Sequence, residues 1–275
     1  MPRLYMLKPL RRIVLSVFSK VNPGNITIRH HYTDDPFMLH SYRHKGYWFH
    51  GKNREHDEME MVSKLIKSGD DIVEVGAHIG YLTLYFAQLV GREGQIIAFE
   101  PVPDSAEYLK KNTKSHSNIT VERKAASDQA GTLPFYVDTL SGMTSTLVSE
   151  DNVHQANVDY AFGELQFKTI QVEVVRLDDF LNEKGFVPDF IKVDAEGAEY
   201  DIVRGLSQVL AQNHPVLWLE VSRNKSELYD LLSVAGYVLI DAQGNRLMNA
   251  DALPANLFCL HEHRHADLLS RITVN

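Results

Sequence analysis

The feature that most limits the fold of this chain is an ordered alternation of short apolar runs and amphipathic stretches. From Ile72–Val75, an apolar run, the chain enters the turn GAHIG and then an apolar helix, Tyr81–Val90. A turn at 91–94 leads to a strand at 95–99, a helix at 105–114 and a strand at 119–123. The order resumes with the strand Phe190–Val193, a helix at 198–210, a strand at 216–221 and a helix at 226–235. Segments 237–241 and 257–261 read as closing strands. Runs this short and this apolar are strands buried on both faces, and helices between them make the strands parallel. The prediction is therefore an α/β fold with a doubly wound, mainly parallel sheet. Residues 131–176 interrupt the order as strand, loop and strand, with a polar middle at 141–163.

Upstream, Met59, Met61, Val62, Leu65 and Ile66 recur at helical spacing and stop before Gly69. Between residues 25 and 56 the chain mixes His, Tyr, Trp and charged residues, with short strands expected at 26–29 and 46–49. Charge separates the two parts. Residues 1–56 hold ten Lys+Arg and three Asp+Glu, while the rest holds 18 and 33. We therefore divide the chain into a basic N-terminal extension, 1–56, and an acidic body, 57–275. An acidic body excludes general nucleic-acid binding, which needs a surface that neutralises phosphates. The single Cys, Cys259, excludes an internal disulfide and a Cys-based zinc site. Residues 1–20 carry five basic residues and no acid, and their apolar stretch is too short for a secretory signal. They read as a helix packed on the body, or as a weak peripheral contact with anionic lipid. The expected location is cytoplasmic, with any membrane contact at the inner face.

The segment DDIVEVGAHIGYLTLYFAQ joins a strand to a helix through a Gly-containing turn. Gly76 and Gly80 free the backbone from Cβ interference, and the helix start offers N–H groups to a polar ligand. A dinucleotide fold usually reads G-x-G-x-x-G and a P-loop G-x-x-x-x-G-K-[ST]; neither occurs here. Instead Glu74 lies two residues before Gly76. An acid there repels a pyrophosphate and suits an ammonium-bearing ligand without phosphate, such as the methionine part of S-adenosylmethionine. A tight turn with no ligand is the simpler alternative. Glu100 ends the next strand, where a carboxylate can accept ribose hydroxyls; it could also be an acid at a helix start. After the third strand come Ser127 and Asp128, and Asp128 could accept from an adenine amino group or sit in a surface turn. The fourth strand ends IKVDAEGAEYDIVRGL, with Asp194 at its carboxyl edge, where open sheets bind ligands. Glu196 and Glu199 follow, and all three acids could simply complement a helix dipole.

Taken together, EVGAHIGYLT, AFEPVP, VRLDDFL, IKVDAEGAEYDIVRGL, LWLEVS and AGYVL resemble the FkbM family of S-adenosylmethionine-dependent methyltransferases over residues 52–260. That family usually has Asn where this chain has His78. The resemblance implies a class I, Rossmann-like methyltransferase fold with a seven-stranded sheet whose last strand is antiparallel. It implies methyl transfer mostly to oxygen, often on sugars or glycosylated natural products. Carried over by position, Glu74, Gly76, Ala77, His78, Gly80, Tyr81 and Thr83 line the methionine end of the cofactor. Glu100, with Pro101, takes the ribose. Ser127 and Asp128 lie beside adenine, and Asp194 closes the pocket near the methyl group.

Transfer to a hydroxyl needs alignment and a proton acceptor. Asp194 is the first candidate base and Glu196 the second; His78 and His56 titrate in the right range. A divalent metal held by Asp194 and Glu220 is the less favoured device. His261, His263 and His265 alternate and could project from one side of a strand. Acceptor recognition is expected in 141–163 and in 30–56, where Tyr42, Tyr47 and Trp48 suit a sugar ring; the latter segment could equally cover the sheet edge. The expected acceptor is a small molecule or glycan. A nicotinamide-dependent oxidoreductase and a non-catalytic scaffold of the same fold are the rival readings.

Overall fold

The structure, a computed structural model, describes residues 23–53, 55–138, 145–147 and 167–273. The helix expected within residues 1–20, and most of the loop at 141–163, lie outside the described residues. Two compact units are present, Met1–Arg54 and Glu55–Asn275.

In the first unit, strands β1 (Asn25–Arg29) and β2 (Pro36–His40) form an antiparallel pair in which Ile26 faces Leu39 and Ile28 faces Phe37. Segment 46–49, expected as a strand, is instead part of helix α1 (Lys45–His50). Its aromatic residues favour a strand in isolation, but packing overrides that preference. The helical turn sets Tyr47 edge-on to Phe37 at 5.7 Å and lets Trp48 Nε1 donate to the Ser41 carbonyl at 2.8 Å.

The second unit opens with α2 (His56–Leu65), which buries Met59, Met61, Val62 and Leu65. Then come β3 (Ile72–Val75), α3 (Tyr81–Val90), β4 (Ile96–Phe99), α4 (Pro103–Thr113), β5 (Ile119–Glu122) and β6 (Ala125–Ser127). They are followed by β7 (Gly131–Asp138), β8 (Phe167–Arg176), α5 (Leu177–Lys184) and β9 (Phe190–Val193). The chain continues through α6 (Glu199–Arg204), α7 (Ser207–Gln212), β10 (Val216–Glu220), α8 (Lys225–Val234), β11 (Tyr237–Ile240), β12 (Asn256–His261) and α9 (Ala266–Ile272).

Seven strands form one sheet in the order β11-β12-β10-β9-β3-β4-β5. Six of them point the same way, and β12 alone is reversed, antiparallel to both β10 and β11. This is the class I methyltransferase order. Chain direction across the sheet reverses between β3 and β9, so the crevice at their carboxyl ends is the switch point at which such sheets bind ligands.

The strands alternate two buried faces. Val73, Val75, Ile97, Phe99, Ile191, Val193, Leu217 and Leu219 join residues of α5 to α8 in one core cluster. Phe190 and Trp218 lie on the opposite face, against Phe86 of α3, at 5.9 and 6.4 Å between ring centroids. β6, β7 and β8 form a separate three-stranded sheet, in which β7 and β8 pair from Gly131↔Val174 to Asp138↔Phe167.

The helix expected over 198–210 is broken into α6 and α7 at Gly205. A Cβ at Gly205 would lie 2.4 Å from the Ser127 carbonyl oxygen, so the chain is pressed against β6 there. Asp178 of the LDDF segment supplies the missing cap. Its carboxylate accepts from the amides of Gln208 at 2.9 Å and Val209 at 3.0 Å, the unpaired N–H groups of the first turn of α7. Arg176 holds the same carboxylate at 2.6 Å.

The three histidines near the end do not share a strand. β12 stops at His261 and α9 starts at Ala266, which places His263 and His265 in the turn between. His265 Nδ1 accepts from the His261 amide at 3.0 Å, and His261 Nδ1 accepts from the Arg264 amide at 3.2 Å. Both rings thus cap backbone, and burial holds His265 down to about 4.

Candidate active site

Gly76 turns the chain directly off β3 with φ of 83°. A Cβ there would stand 1.9 Å from the Asp194 carbonyl oxygen. The glycine therefore serves the close approach of two neighbouring strand ends first, and any ligand second. Gly80 has φ of 88°, and its Cβ would meet Leu109 Cδ1 of α4 at 2.7 Å. Four of the five amides of the turn are committed. Gly76 N and Ala77 N both donate to the Phe99 carbonyl at 3.0 Å, His78 N donates to Glu100 Oε2 at 2.8 Å, and Gly80 N donates to the Ala77 carbonyl at 2.9 Å. His78 itself sits in the left-handed region at φ 50°.

Glu74 is buried in β3, and its Oε2 accepts from Thr83 Oγ1 of α3 at 2.6 Å. Burial pushes its carboxyl up to about 7, opposed by the nearby Lys192 ammonium. Tyr81 is buried at the start of α3. Glu100 follows β4 and is also buried, with Pro101 half-buried beside it. Glu100 gathers the amides of His78 and Val102 at 2.8 Å each, and burial raises it to about 8. This carboxylate ties the first two strand-end loops together.

Asp194 follows β9 directly. Its Oδ2 lies 2.8 Å from Lys192 Nζ, and its side chain keeps 28% exposure. Glu196, at φ 49°, is raised to about 9, first by burial and then by the charges of Asp194, Glu220 and Glu199. It therefore carries its proton at neutral pH and can donate a hydrogen bond. Glu199 is not an exposed dipole partner. Its Oε1 accepts from the amides of Ala195 at 3.1 Å and Gly197 at 2.9 Å, fixing the loop after β9, and its buried Oε2 has no hydrogen-bond partner among the described residues. Burial brings it to about 7. Glu220, at the end of β10, is raised to about 8, mainly by Asp194.

Ser127 ends β6 and Asp128 follows it, against the end of α6. Asp128 Oδ2 lies 3.3 Å from Arg204 Nη1, and Ser127 Oγ approaches Asp128 Oδ1 at 3.4 Å. Arg204 is half exposed, and such a pair contributes at most about 1 kcal/mol, so a ligand can compete for the carboxylate. His56 is exposed at the start of α2. Among the described residues no group of three His, Cys, Asp or Glu is arranged to hold a metal ion.

Two residues of this centre escaped the sequence reading. Lys192 is one; its signal was a lysine inside the apolar run of a strand buried on both faces. Thr146 is the other, and nothing in the polar loop marked it. Thr146 bridges back to Tyr136 of β7, is fully buried, and its Oγ1 donates to the Glu196 carbonyl at 2.9 Å. Replacing Thr146 by Val removes that bond without changing shape. The expected loss is about 1 kcal/mol in stability, with faster amide exchange at 195–198. Thr146→Ser keeps the protection, and hydrogen-exchange mass spectrometry reads the difference.

The sheet order, with one reversed strand, and the line of acids at its switch point match a class I methyltransferase fold. The Methyltransferase FkbM domain matches residues 74–244, more than half of the chain, and the protein belongs to that family. Methyltransferase 1 of Beauveria bassiana is 35% identical over 149 residues, 49% of this chain and 57% of its own length. Methyltransferase sdnD of Sordaria araneosa is 30% identical, covering 62% of this chain and 75% of that protein. Hexuronic acid methyltransferase AglP of Haloferax volcanii is 24% identical, covering 66% and 69%. The chain thus spans little more than half of the first of these relatives. A solved methyltransferase FkbM from Methylobacillus flagellatus gives a TM-score of 0.45 at 19% identity, over 70% of this chain and 43% of that one, too distant a likeness to bear on function. Among the described residues no helix is long and apolar enough to cross a membrane.

Proposed function

We propose that the protein methylates a hydroxyl of a sugar, glycan, glycolipid or glycosylated natural product, with S-adenosylmethionine as donor. One observation carries this reading against a nicotinamide enzyme. The turn amides of Gly76, Ala77, His78 and Gly80 are all spent on protein acceptors, and a buried acid, Glu74, lies beneath them. A pyrophosphate would meet spent donors and a carboxylate, whereas a cationic ligand would meet favourable charge. The residues therefore fit S-adenosylmethionine. The name of the Haloferax relative lends weight to a carbohydrate acceptor.

When bound, the cofactor supplies a methyl group on a sulfonium, already activated for displacement. Glu74 and Asp194 would face its charged methionine end, and Glu100 would accept from the ribose hydroxyls. Ser127 and Asp128 would lie beside the adenine. As the acceptor oxygen gains the methyl carbon, its proton must leave; Asp194 would take it through Oδ1, since Lys192 already holds Oδ2. Glu196 arrives protonated and would position the acceptor as a hydrogen-bond donor rather than remove its proton.

Titration calorimetry with S-adenosylmethionine, S-adenosylhomocysteine and NAD tests the cofactor, and labelled methyl transfer to a glycan panel tests the acceptor. Binding of NAD alone would sink the reading, and cofactor binding without transfer to any carbohydrate would remove the acceptor class. A pH signature is also expected. Glu74 and Glu100 are raised in the free protein, so below about pH 7 they hold protons that a bound cation must expel. S-adenosylmethionine affinity should rise from about pH 6 to about pH 9 and then level off, with proton release detected by calorimetry in buffers of different ionisation heat. A flat profile would remove both acids from the site.

A further inference from the structure

One buried cation stands among the acids of the switch point. In β9, Lys192 pairs in register with Glu74 of β3 on one side and Trp218 of β10 on the other. All three side chains therefore project from the same face of the sheet. Asp194 and Glu220, two residues further along their chains, lie on that face too. Lys192 is only 3% exposed, in a setting where lysine is rarely found unless paired. Its ammonium lies 2.8 Å from Asp194 Oδ2 and 5.8 Å from the Trp218 ring centroid. The charges of Asp194, Glu74 and Glu220 hold it protonated against its burial. An unpaired buried ammonium would instead lose its proton, so Lys192 owes its charge to the acids around it.

We propose that Lys192 is a positioning residue which serves as the built-in counter-cation of this centre, on the face of the sheet that carries Glu74, Asp194 and Glu220. Through the Oδ2 contact it orients Asp194 toward the reacting atoms, and its charge permits several carboxylates to converge where a sulfonium is to bind. The proposal rests on the cofactor reading above.

The test replaces Lys192 by Met, of similar length and no charge, and by Arg, which keeps the charge. S-adenosylmethionine affinity of the folded Met variant should fall roughly tenfold or more, the scale of a lost charge-assisted bond, and the Arg variant should keep most of it. A purely structural role would lower thermal stability in both variants without separating their affinities. Wild-type affinity in the Met variant, or an equal loss in the Arg variant, overturns the proposal. Should the Met variant fail to fold, the charge of Lys192 is read directly in the wild-type protein by nitrogen NMR. An ammonium whose signal shifts in Asp194→Asn is expected; a neutral amine at neutral pH, or a signal that Asp194→Asn leaves unmoved, overturns the idea. A wild-type protein that binds no S-adenosylmethionine would sink the cofactor reading, and the NMR experiment would still decide the charge of Lys192.

Discussion

Gly76→Ala should lower the stability of the second unit by roughly 3 kcal/mol or more, enough to unfold it in a marginal background. Two costs add. The new Cβ would stand 1.9 Å from the Asp194 carbonyl oxygen, a backbone atom that cannot rotate away. The residue must also hold φ of 83°, which L residues rarely adopt. Relief would require β3 and β9 to part at their carboxyl ends, where Asp194 N donates to the Val75 carbonyl at 3.0 Å. Gly69 is the control. It has φ of 89° but nothing within 4 Å of its virtual Cβ, so Gly69→Ala should cost only about 1–2 kcal/mol. Urea titrations of both variants separate backbone strain from collision. Equal losses would mean that the approach of the two strand ends is not what requires the glycine.

Asp194→Asn is expected to lower turnover by about 10²–10⁴-fold, the range of general-base catalysis, with a much smaller effect on cofactor affinity. The amide keeps the shape and can still accept from Lys192, but it cannot take a proton. Lys192 would then face an amide instead of a carboxylate, so some loss of thermal stability should accompany the change. The two effects separate in the kinetics. Loss of kcat at unchanged S-adenosylmethionine affinity supports the base, measured by labelled transfer to whichever acceptor the wild-type enzyme methylates. An equal loss in both would make Asp194 a binding residue.

The fold was legible wherever burial imposed a period. Ile72–Val75, Ile96–Phe99, Phe190–Val193 and Val216–Glu220 are short, mostly apolar and buried on both faces, and each is a central parallel strand. The acids at the ends of β3, β4 and β9 were legible for the same reason, since strand ends at a switch point are predictable once the strands are. Less visible were features set by contacts distant in sequence. The break at Gly205 depends on the Ser127 carbonyl and on a cap from Asp178. The helical state of Tyr47 and Trp48 depends on Phe37 and Ser41. Thr146 lies 50 residues from the carbonyl it holds.

By itself, the sequence determined the parallel α/β class, the position of the glycine turn and the excess of acid over base in the body. These follow from local periodicity and composition, which act along the chain. Only the tertiary structure decided what each acid does. The sheet sets Glu74, Lys192 and Trp218 abreast, buries Glu100 on two loop amides and folds Glu199 back onto its own loop. Burial and neighbouring charge then separate the carboxyls, from Glu74 near 7 to Glu196 near 9. Protonation is a property of surroundings, and surroundings exist only once the strands have been brought together.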